Sequence, residues 1–319
     1  MKKYDVVALG ELLIDFINNG ISAQGNPLFE ANPGGAVCNV LAMLNKLGHK
    51  TAFIGKVGED IFGHQLKKVL DEINIDTAGL LMDKEVRTTL AFVANDETGE
   101  RSFSFYRNPG ADMMLRADEV SEEAIRSARM FHFGTLSMTH ELVREATKRA
   151  LDMAKENGLL ISFDPNLRES LWDTLENAKT QVDYGLHYCD VLKISDNEIQ
   201  WFTGEEDFDR GIKILQDKYH VPLILLSMGK EGSRAYYKDL RVEVPGFIQE
   251  KTIETTGAGD TFFGSCLHFV LEKGLEDLKE SDLKEMLTFA NAAASIITTR
   301  KGALKVMPAE EEVRSLTEK

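Results

Sequence analysis

Only three cysteines occur in 319 residues, Cys38, Cys189 and Cys266, each in an apolar or helical setting and with no CxxC spacing. That excludes a disulfide framework and a thiol-built zinc site, and leaves buried thiols in a reducing cytoplasm as the expectation. Basic excess is absent too: 37 Lys and Arg stand against 52 Asp and Glu, a formal charge of -15. Nucleic acid and anionic membrane surfaces are therefore poor main partners. No apolar run approaches the roughly 18 residues that begin to span a bilayer. Asp5, Glu11 and Asp15 interrupt the apolar stretch behind Lys2 and Lys3, so a soluble, cytoplasmic protein is expected. Missing as well are a P-loop string of the GxxxxGK(S/T) type and the protein-kinase strings HRD and DFG. There is no internal repeat, low-complexity tract or long linker. The length suits one large α/β domain with an accessory piece, or two domains.

What is present centres on Glu254-Thr255-Thr256-Gly257-Ala258-Gly259-Asp260, running straight into the apolar segment from Thr261 to Leu267. A helix beginning at Gly257 leaves its first N–H groups without intrahelical acceptors, and small residues let an anion approach them. Asp260 falls in the first turn, where the helix dipole favours a carboxylate that stays ionised near neutral pH. A carboxylate beside an anion hole can accept a hydroxyl proton. A glycine turn with an acidic first-turn residue is also an ordinary helix start. The neighbours bear on this: Phe262, Phe263, Cys266, Leu267, Phe269, Val270 and Leu271 make the helix apolar nearly all round, hence buried. A carboxylate in such a core is costly unless it has a partner or a task. A dinucleotide fingerprint would need its third glycine at 262, where Phe262 stands.

In chain order, Tyr4 to Leu9 reads as a buried strand, Leu12 to Ile17 as a second one holding Asp15, and Asn18-Asn19-Gly20 as a turn. Asp15 fits a solvent-facing strand residue, but it also lies just beyond the carboxyl end of the first strand, where ligands bind in parallel α/β sheets. Pro33-Gly34-Gly35 precedes a helix with Val37, Val40, Leu41 and Leu44 on one stripe and Asn39 pointing away from it; the paired glycines are either turn punctuation or, with Asn39, a hold for the hydroxyls of a polar ligand. Residues 51–57, 61–73 and 75–82 read as strand, helix and strand. Arg87 to Ala94 and Arg101 to Tyr106 form a hairpin around Asn95-Asp96-Glu97-Thr98-Gly99, out of place among βα units and suited to a small sheet covering a cleft.

From Met130 strands and helices alternate: 130–133, 141–157, 159–163, 171–188, 191–194, 209–219 and 223–226. This predicts a mostly parallel sheet with helices on both faces. Three strands end in polar clusters, Asp164 to Arg168, Ser195 to Glu198 and Ser227 to Gly232. Singly each is an ordinary cap or turn; together they mark one rim. Residues 235–237 and 241–244 read as a hairpin, and Leu283 to Thr299 as a long helix rich in small residues, ended by Arg300-Lys301-Gly302.

With PGGAVCN and TTGAGDTFFG in place near the expected ends, the chain resembles the ribokinase-like, PfkB-type carbohydrate kinases along almost its whole length. GELLIDFI, FYRNPGAD, SFDPNLR and LKISDNEIQWFTG look most like bacterial fructokinases, with 2-keto-3-deoxygluconate kinases the nearest alternative. The resemblance implies a three-layer α/β/α fold with a mostly parallel central sheet and a small β-sheet lid. The main domain would comprise residues 1–11, 33–86 and 110–319, and the lid 12–32 and 87–109. It implies ATP and Mg²⁺ as cofactors, a sugar substrate, and Asp260 as the base, with Gly257, Ala258 and Gly259 holding the γ-phosphoryl group.

Further roles follow by the same resemblance. Asp15, Gly34, Gly35, Asn39, Arg107 and Arg168 would bind the sugar, Arg107 reaching it from the lid hinge. Asn166, Ser195, Ser227, Gly229, Gly232 and Asn291 would line the nucleotide side, and Glu198 would organise Mg²⁺ through water. Glu254, Thr256, Arg300 and Gly302 would form a monovalent-cation loop, making K⁺ activation an expectation. Three positions depart from the pattern: Ser195 replaces the asparagine of an Asn-x-x-Glu magnesium motif, Glu254 a usual aspartate, and Leu41 a frequent alanine. A homodimer through the lid is expected from its strand edges. A regulator that binds sugar or nucleotide without catalysis is the reading from a different class; the intact Asp260 and glycine turn argue against it.

Overall fold

A computed structural model describes residues 2–95 and 101–318. The chain opens with β1 (Tyr4–Leu9), β2 (Leu13–Ile21), β3 (Pro27–Gly34), α1 (Ala36–Lys46), β4 (Thr51–Gly58), α2 (Ile61–Glu72), β5 (Asp76–Asp83), β6 (Leu90–Asn95) and β7 (Arg101–Tyr106). It continues with α3 (Glu122–Arg126), β8 (Ala128–Gly134), α4 (Glu141–Glu156), β9 (Leu160–Asp164), α5 (Leu175–Leu186), β10 (Val191–Ser195), α6 (Asp196–Thr203), α7 (Phe208–Tyr219) and β11 (Leu223–Ser227). The last part holds β12 (Ser233–Tyr237), β13 (Leu240–Val244), α8 (Ala258–Lys273), α9 (Glu280–Ile297) and α10 (Glu310–Thr317).

Nine strands form the central sheet in the order β13-β12-β11-β10-β9-β8-β1-β4-β5. Pairing is parallel from β11 to β5, and β12 runs antiparallel to both of its neighbours, β11 and β13. Side chains alternate between the sheet's two faces with period two. On β1, Val6 and Ala8 enter one core with Val40, Phe263, Leu287 and Val313, while Val7 and Leu9 enter the other with Leu151, Val182, Ile199 and Leu215. Both faces are thus covered by helices, which is why these strands read as unbroken apolar runs. The three-layer α/β/α expectation holds. Chain order reverses at β1, whose neighbours are β4 on one side and β8 on the other, so the carboxyl ends of β1 and β8 to β11 face a switch-point crevice.

A second, four-stranded sheet has the order β3-β2-β6-β7. Directly opposed residues point to the same face, so Asp15, Ala91 and Phe105 share one face, while Phe16, Phe92 and Phe29 share the other. Phe16 stacks on Phe92 at 4.8 Å and meets Phe62 of α2 edge-on at 5.6 Å, tying this sheet to the main body.

Several local readings need correction. Asn18-Asn19-Gly20 is not the turn: β2 runs on to Ile21, and its register to β3 shifts between Asn18 and Ile21. A bulge absorbs the turn-forming residues, with Gly20 at φ +94°, and the chain reverses over 22–26, where the Ser22 N–H donates to the Asn26 carbonyl. β3 was not read as a strand because PLFEANPG alternates too weakly; backbone pairing to β2 extends it. β6 begins at Leu90 rather than Arg87, since Asp60 draws the Thr88 N–H and hydroxyl onto its carboxylate at 2.8 Å. The helix expected from 171 starts at Leu175, capped by the Thr174 hydroxyl. Apart from Asn95, the turn expected over 95–99 lies outside the described residues.

Candidate active site

Between the rim of the central sheet and the Asp15 face of the second sheet lies a cleft of about 920 Å³. Its floor is the start of α8. Gly257 caps that helix with φ +76°, a left-handed conformation that glycine adopts without a Cβ penalty. A Cβ there would also stand 2.7 Å from the Ala303 methyl. The first turn of a helix presents N–H groups outward. Of the donors expected to hold a phosphoryl group, the Ala258 N–H is already turned back onto the Thr255 carbonyl at 3.2 Å, leaving Gly257 and Gly259 as the better placed.

Asp260 is buried at the cleft wall and accepts a 2.7 Å hydrogen bond from Asn39 Nδ2. Asn39 was expected to point away from the apolar stripe of α1; it lies buried with that stripe, because α1 packs on α8 and brings the amide to the carboxylate. Its Oδ1 has no hydrogen-bond partner among the described residues. Burial raises the Asp260 pKa above the ordinary carboxylate value, opposed by the Asn39 hydrogen bond, Lys193 and Arg168. The helix dipole suggested the opposite direction. Desolvation wins here because the carboxylate leaves water almost completely.

Around it stands a network that the strand-end reading found only in part. Lys193, on β10, reaches across to Asp164 at the end of β9, with Nζ 3.1 and 3.2 Å from its two oxygens. Burial alone would lower the lysine pKa, but Asp164, Glu198 and Asp260 hold it above the ordinary value. Asp164 itself is raised to about 7, by burial first and against Lys193. Glu198 completes a capping box with Ser195, accepting from the Ser195 N–H and hydroxyl at 2.8 Å each, and also takes the Leu167 N–H at 2.8 Å. Burial would raise its pKa; Lys193 and these donors more than offset that and lower it. Ser195 to Glu198 is thus both an ordinary cap and part of the cleft.

At the end of the cleft beside Asp15, Glu11 follows β1 and accepts the Ala36 N–H at 2.6 Å, so its carboxylate caps α1. Burial raises it to about 7. Asp15 also stands at about 7, raised by burial and then by Glu254 and Asp260 against Arg168. Gly34 is what gives Asp15 its room: a Cβ there would come within 2.3 Å of Asp15 Oδ2. Gly35, Asn39, Asn166 and Arg168 line the cleft beside them, and Ser227, Gly229, Gly232 and Asn291 its other end. Asn291 positions the wall there, donating to the Val244 and Pro245 carbonyls at 3.1 Å and accepting from the Ser233 hydroxyl at 2.9 Å.

Arg107 is not brought to the cleft. Its guanidinium is buried against Asp112 at 2.7 Å, the Thr139 hydroxyl at 2.8 Å and the Leu136 carbonyl at 3.0 Å. A buried arginine with three such partners has no free fork to offer a ligand. Arg300 is similarly engaged, by the Val306 carbonyl at 2.7 Å and by Glu312. Glu254 accepts the Gly302 N–H at 3.2 Å behind the α8 turn, while its buried Oε1 has no hydrogen-bond partner among the described residues. Thr256 lines the cleft. Lys193, Asp164 and Glu11 were missed as individuals; the signal available was a charged residue inside, or at the end of, an otherwise apolar strand.

A family model described as pfkB family carbohydrate kinase matches residues 3–310. Fructokinase-1 of Zea mays is 41% identical over 316 residues, 98% of this chain and 98% of its own length. A fructokinase of Xylella fastidiosa solved with bound ATP is 31% identical, with a TM-score of 0.89 over 100% of this chain and 99% of that one. A fructokinase of Vibrio cholerae O395, solved with fructose, ADP and calcium ion, is 29% identical, with a TM-score of 0.86 over 98% of each chain. A double mutant of the latter, solved with fructose, ADP and potassium ion, is 28% identical, with a TM-score of 0.86 over 99% of each. On a match of this extent, the protein belongs to the pfkB family of carbohydrate kinases.

Proposed function

We propose that this enzyme transfers the γ-phosphoryl group of ATP to the primary hydroxyl of fructose, giving fructose 6-phosphate. The observation that carries the proposal is Asp260, held by Asn39 at the foot of a glycine turn, in a cleft whose sugar-side end is lined by further carboxylates. Asp260 takes the hydroxyl proton as the sugar oxygen bonds to the γ-phosphorus and the bond to the ADP oxygen breaks. Its raised pKa makes it a better proton acceptor once ionised. The N–H groups of Gly257 and Gly259, with the Lys193 ammonium behind Gly259, lie where negative charge on the transferring group needs stabilising. The unpartnered Asn39 Oδ1 is an acceptor for a sugar hydroxyl.

Glu11, Asp15 and Asp260 suit a polyol, whose hydroxyls hydrogen-bond carboxyl groups in either protonation state, over a sugar acid, whose carboxylate is repelled by the ionised ones. With Arg107 tied to Asp112, the site has less to offset that repulsion, and this sets fructose ahead of 2-keto-3-deoxygluconate. Magnesium arriving with the nucleotide would be held through water by Glu198 and would screen phosphate charge. The unpartnered Glu254 oxygen, with Thr256 and Gly302 beside it, fits a monovalent cation such as K⁺, the ion with which the Vibrio double mutant was solved. Arg300, engaged elsewhere, sets the loop rather than the ion. We take residues 12–32 and 87–109 as the lid, and its outer side as the surface on which two chains pair.

An ATP-consumption assay across fructose, 2-keto-3-deoxygluconate, ribose, tagatose and nucleosides tests the reading. Fructose should give the highest kcat/KM. Turnover of the keto-deoxy acid alone would overturn it.

A further inference from the structure

Away from the cleft, on the outer part of α8, two histidines and a glutamate converge. His268 and Glu272 are one helical turn apart and share a face. His49 enters from the loop between α1 and β4, buried, with its Nε2 2.8 Å from His268 Nδ1. One ligand atom from each of the three, imidazole nitrogens and a carboxylate oxygen, lie within 4.8 Å of one another. His268 sits eight positions after Asp260, roughly 12 Å along the helix at 1.5 Å per residue, and no step of the phosphoryl transfer uses it.

We propose that His49, His268 and Glu272 bind one divalent transition-metal cation of the zinc type. Two imidazoles and a carboxylate match the nitrogen and oxygen donors zinc prefers, and leave a fourth position for water. A tetrahedral ion with bonds of about 2.0–2.1 Å needs its nitrogen ligands about 3.3 Å apart, so the two rings must open by about half an ångström, and the nitrogen that donates in the present hydrogen bond must give its proton to the other nitrogen of its ring. Half-buried His268 and exposed Glu272 are free to make that adjustment, and they give the ion a path in from solvent.

The surroundings supply a second, independent feature. His49 Nδ1 faces Asp5 at 3.8 Å, and Asp5 is fixed by the Lys50 N–H at 2.9 Å and by Arg129 at 3.1 Å. At 3.8 Å that carboxylate is beyond hydrogen-bond reach, but its charge behind Nδ1 favours a proton on that nitrogen and so turns the Nε2 lone pair outward. Glu310 and Glu285 add negative charge near His268, with Arg314 opposing them.

The test is titration of the metal-free enzyme, without ATP or magnesium, with Zn²⁺ against a competing chromophoric chelator. One equivalent per chain is expected, with a rise in Tm. Substituting Co²⁺ should give visible d–d bands of a low-coordinate site. His268→Gln should weaken Zn²⁺ binding by more than about 100-fold, and Asp5→Asn by a smaller factor, through loss of the charge behind His49. Glu272→Gln, at an exposed position, keeps the test independent of folding and should also lose affinity. No bound Zn²⁺ in the folded wild type overturns the proposal, as does unchanged affinity in folded His268→Gln and Glu272→Gln.

Discussion

At Asp260 two effects on one carboxyl group pull in opposite directions, and their balance sets what the residue can do. Burial raises its pKa, while Asn39, Lys193 and Arg168 favour the charged form. A base that is hard to ionise in the empty cleft is a strong acceptor when a hydroxyl arrives beside it. Asp260→Asn removes the acceptor and keeps the shape and the contact with Asn39, so kcat should fall by about 10²- to 10⁴-fold with the circular-dichroism spectrum and Tm retained. Near wild-type turnover would remove the base assignment. Asp15 gives a different readout. Its pKa of about 7 means the folded chain holds a proton that the unfolded chain has released above about pH 4. The associated stability is present below that range and is lost as pH rises through about 7. The histidines with lowered pKa, His49, His132 and His268, act with the opposite sign, so the wild-type profile alone mixes both. The clean quantity is the Tm of Asp15→Asn minus that of wild type without ligands. It should grow more positive from about pH 4 to pH 7 and then level off. A difference independent of pH would place the Asp15 carboxylate in water.

Among the elements, α6 shows how a strand end becomes a functional wall. Ser195 closes β10 and caps α6 through a box with Glu198, while Glu198 reaches over to the Leu167 N–H and so fixes the loop after β9. One side chain therefore joins two strand-end clusters that the sequence presents 31 positions apart. Glu198→Gln keeps one acceptor but loses the charge facing Lys193. The Mg²⁺ concentration for half-maximal activity should rise several-fold, measured at saturating ATP and fructose, with a smaller change in the fructose KM; unchanged Mg²⁺ dependence would take Glu198 out of the metal's surroundings. What the sequence made legible here follows from the range of the forces involved. The start of α8 was readable because small residues, a carboxylate and an apolar run lie within one turn of each other. The buried parallel strands were readable because both their faces are apolar. β3 was not, since its order comes from pairing to β2 rather than from its own alternation. Arg107 was misplaced because Asp112, only five residues on, competes for the guanidinium, and spacing alone cannot weigh that contact against a distant ligand. Lys193 acquires meaning only when β9 and β10 lie side by side.

For the molecule as a whole, the second sheet has two faces with different duties. One carries Asp15 and Phe105 to the cleft; the other carries Phe16, Phe29 and Phe92, with Phe29 and Tyr106 each packed edge-on against Phe92. Phe29 is nevertheless 42% exposed and Tyr106 65%, and Ile21 and Leu28 stand open nearby. Aromatic and aliphatic surface left uncovered on a small sheet with two free edges favours pairing with a second copy. The net charge of -15 opposes that pairing through self-repulsion. Salt decides between them, because charges farther apart than the Debye length, about 8 Å at 0.15 M, are largely screened while apolar burial is not weakened. Light scattering coupled to size exclusion should therefore give a dimer mass at 0.15 M salt and above, with dissociation favoured at low ionic strength. Phe29→Glu should shift the mass to the monomer and raise the fructose KM more than it lowers kcat, since the sheet that carries Asp15 would lose its support. A wild-type monomer at every salt concentration would show that the aromatic face serves the packing of its own chain alone.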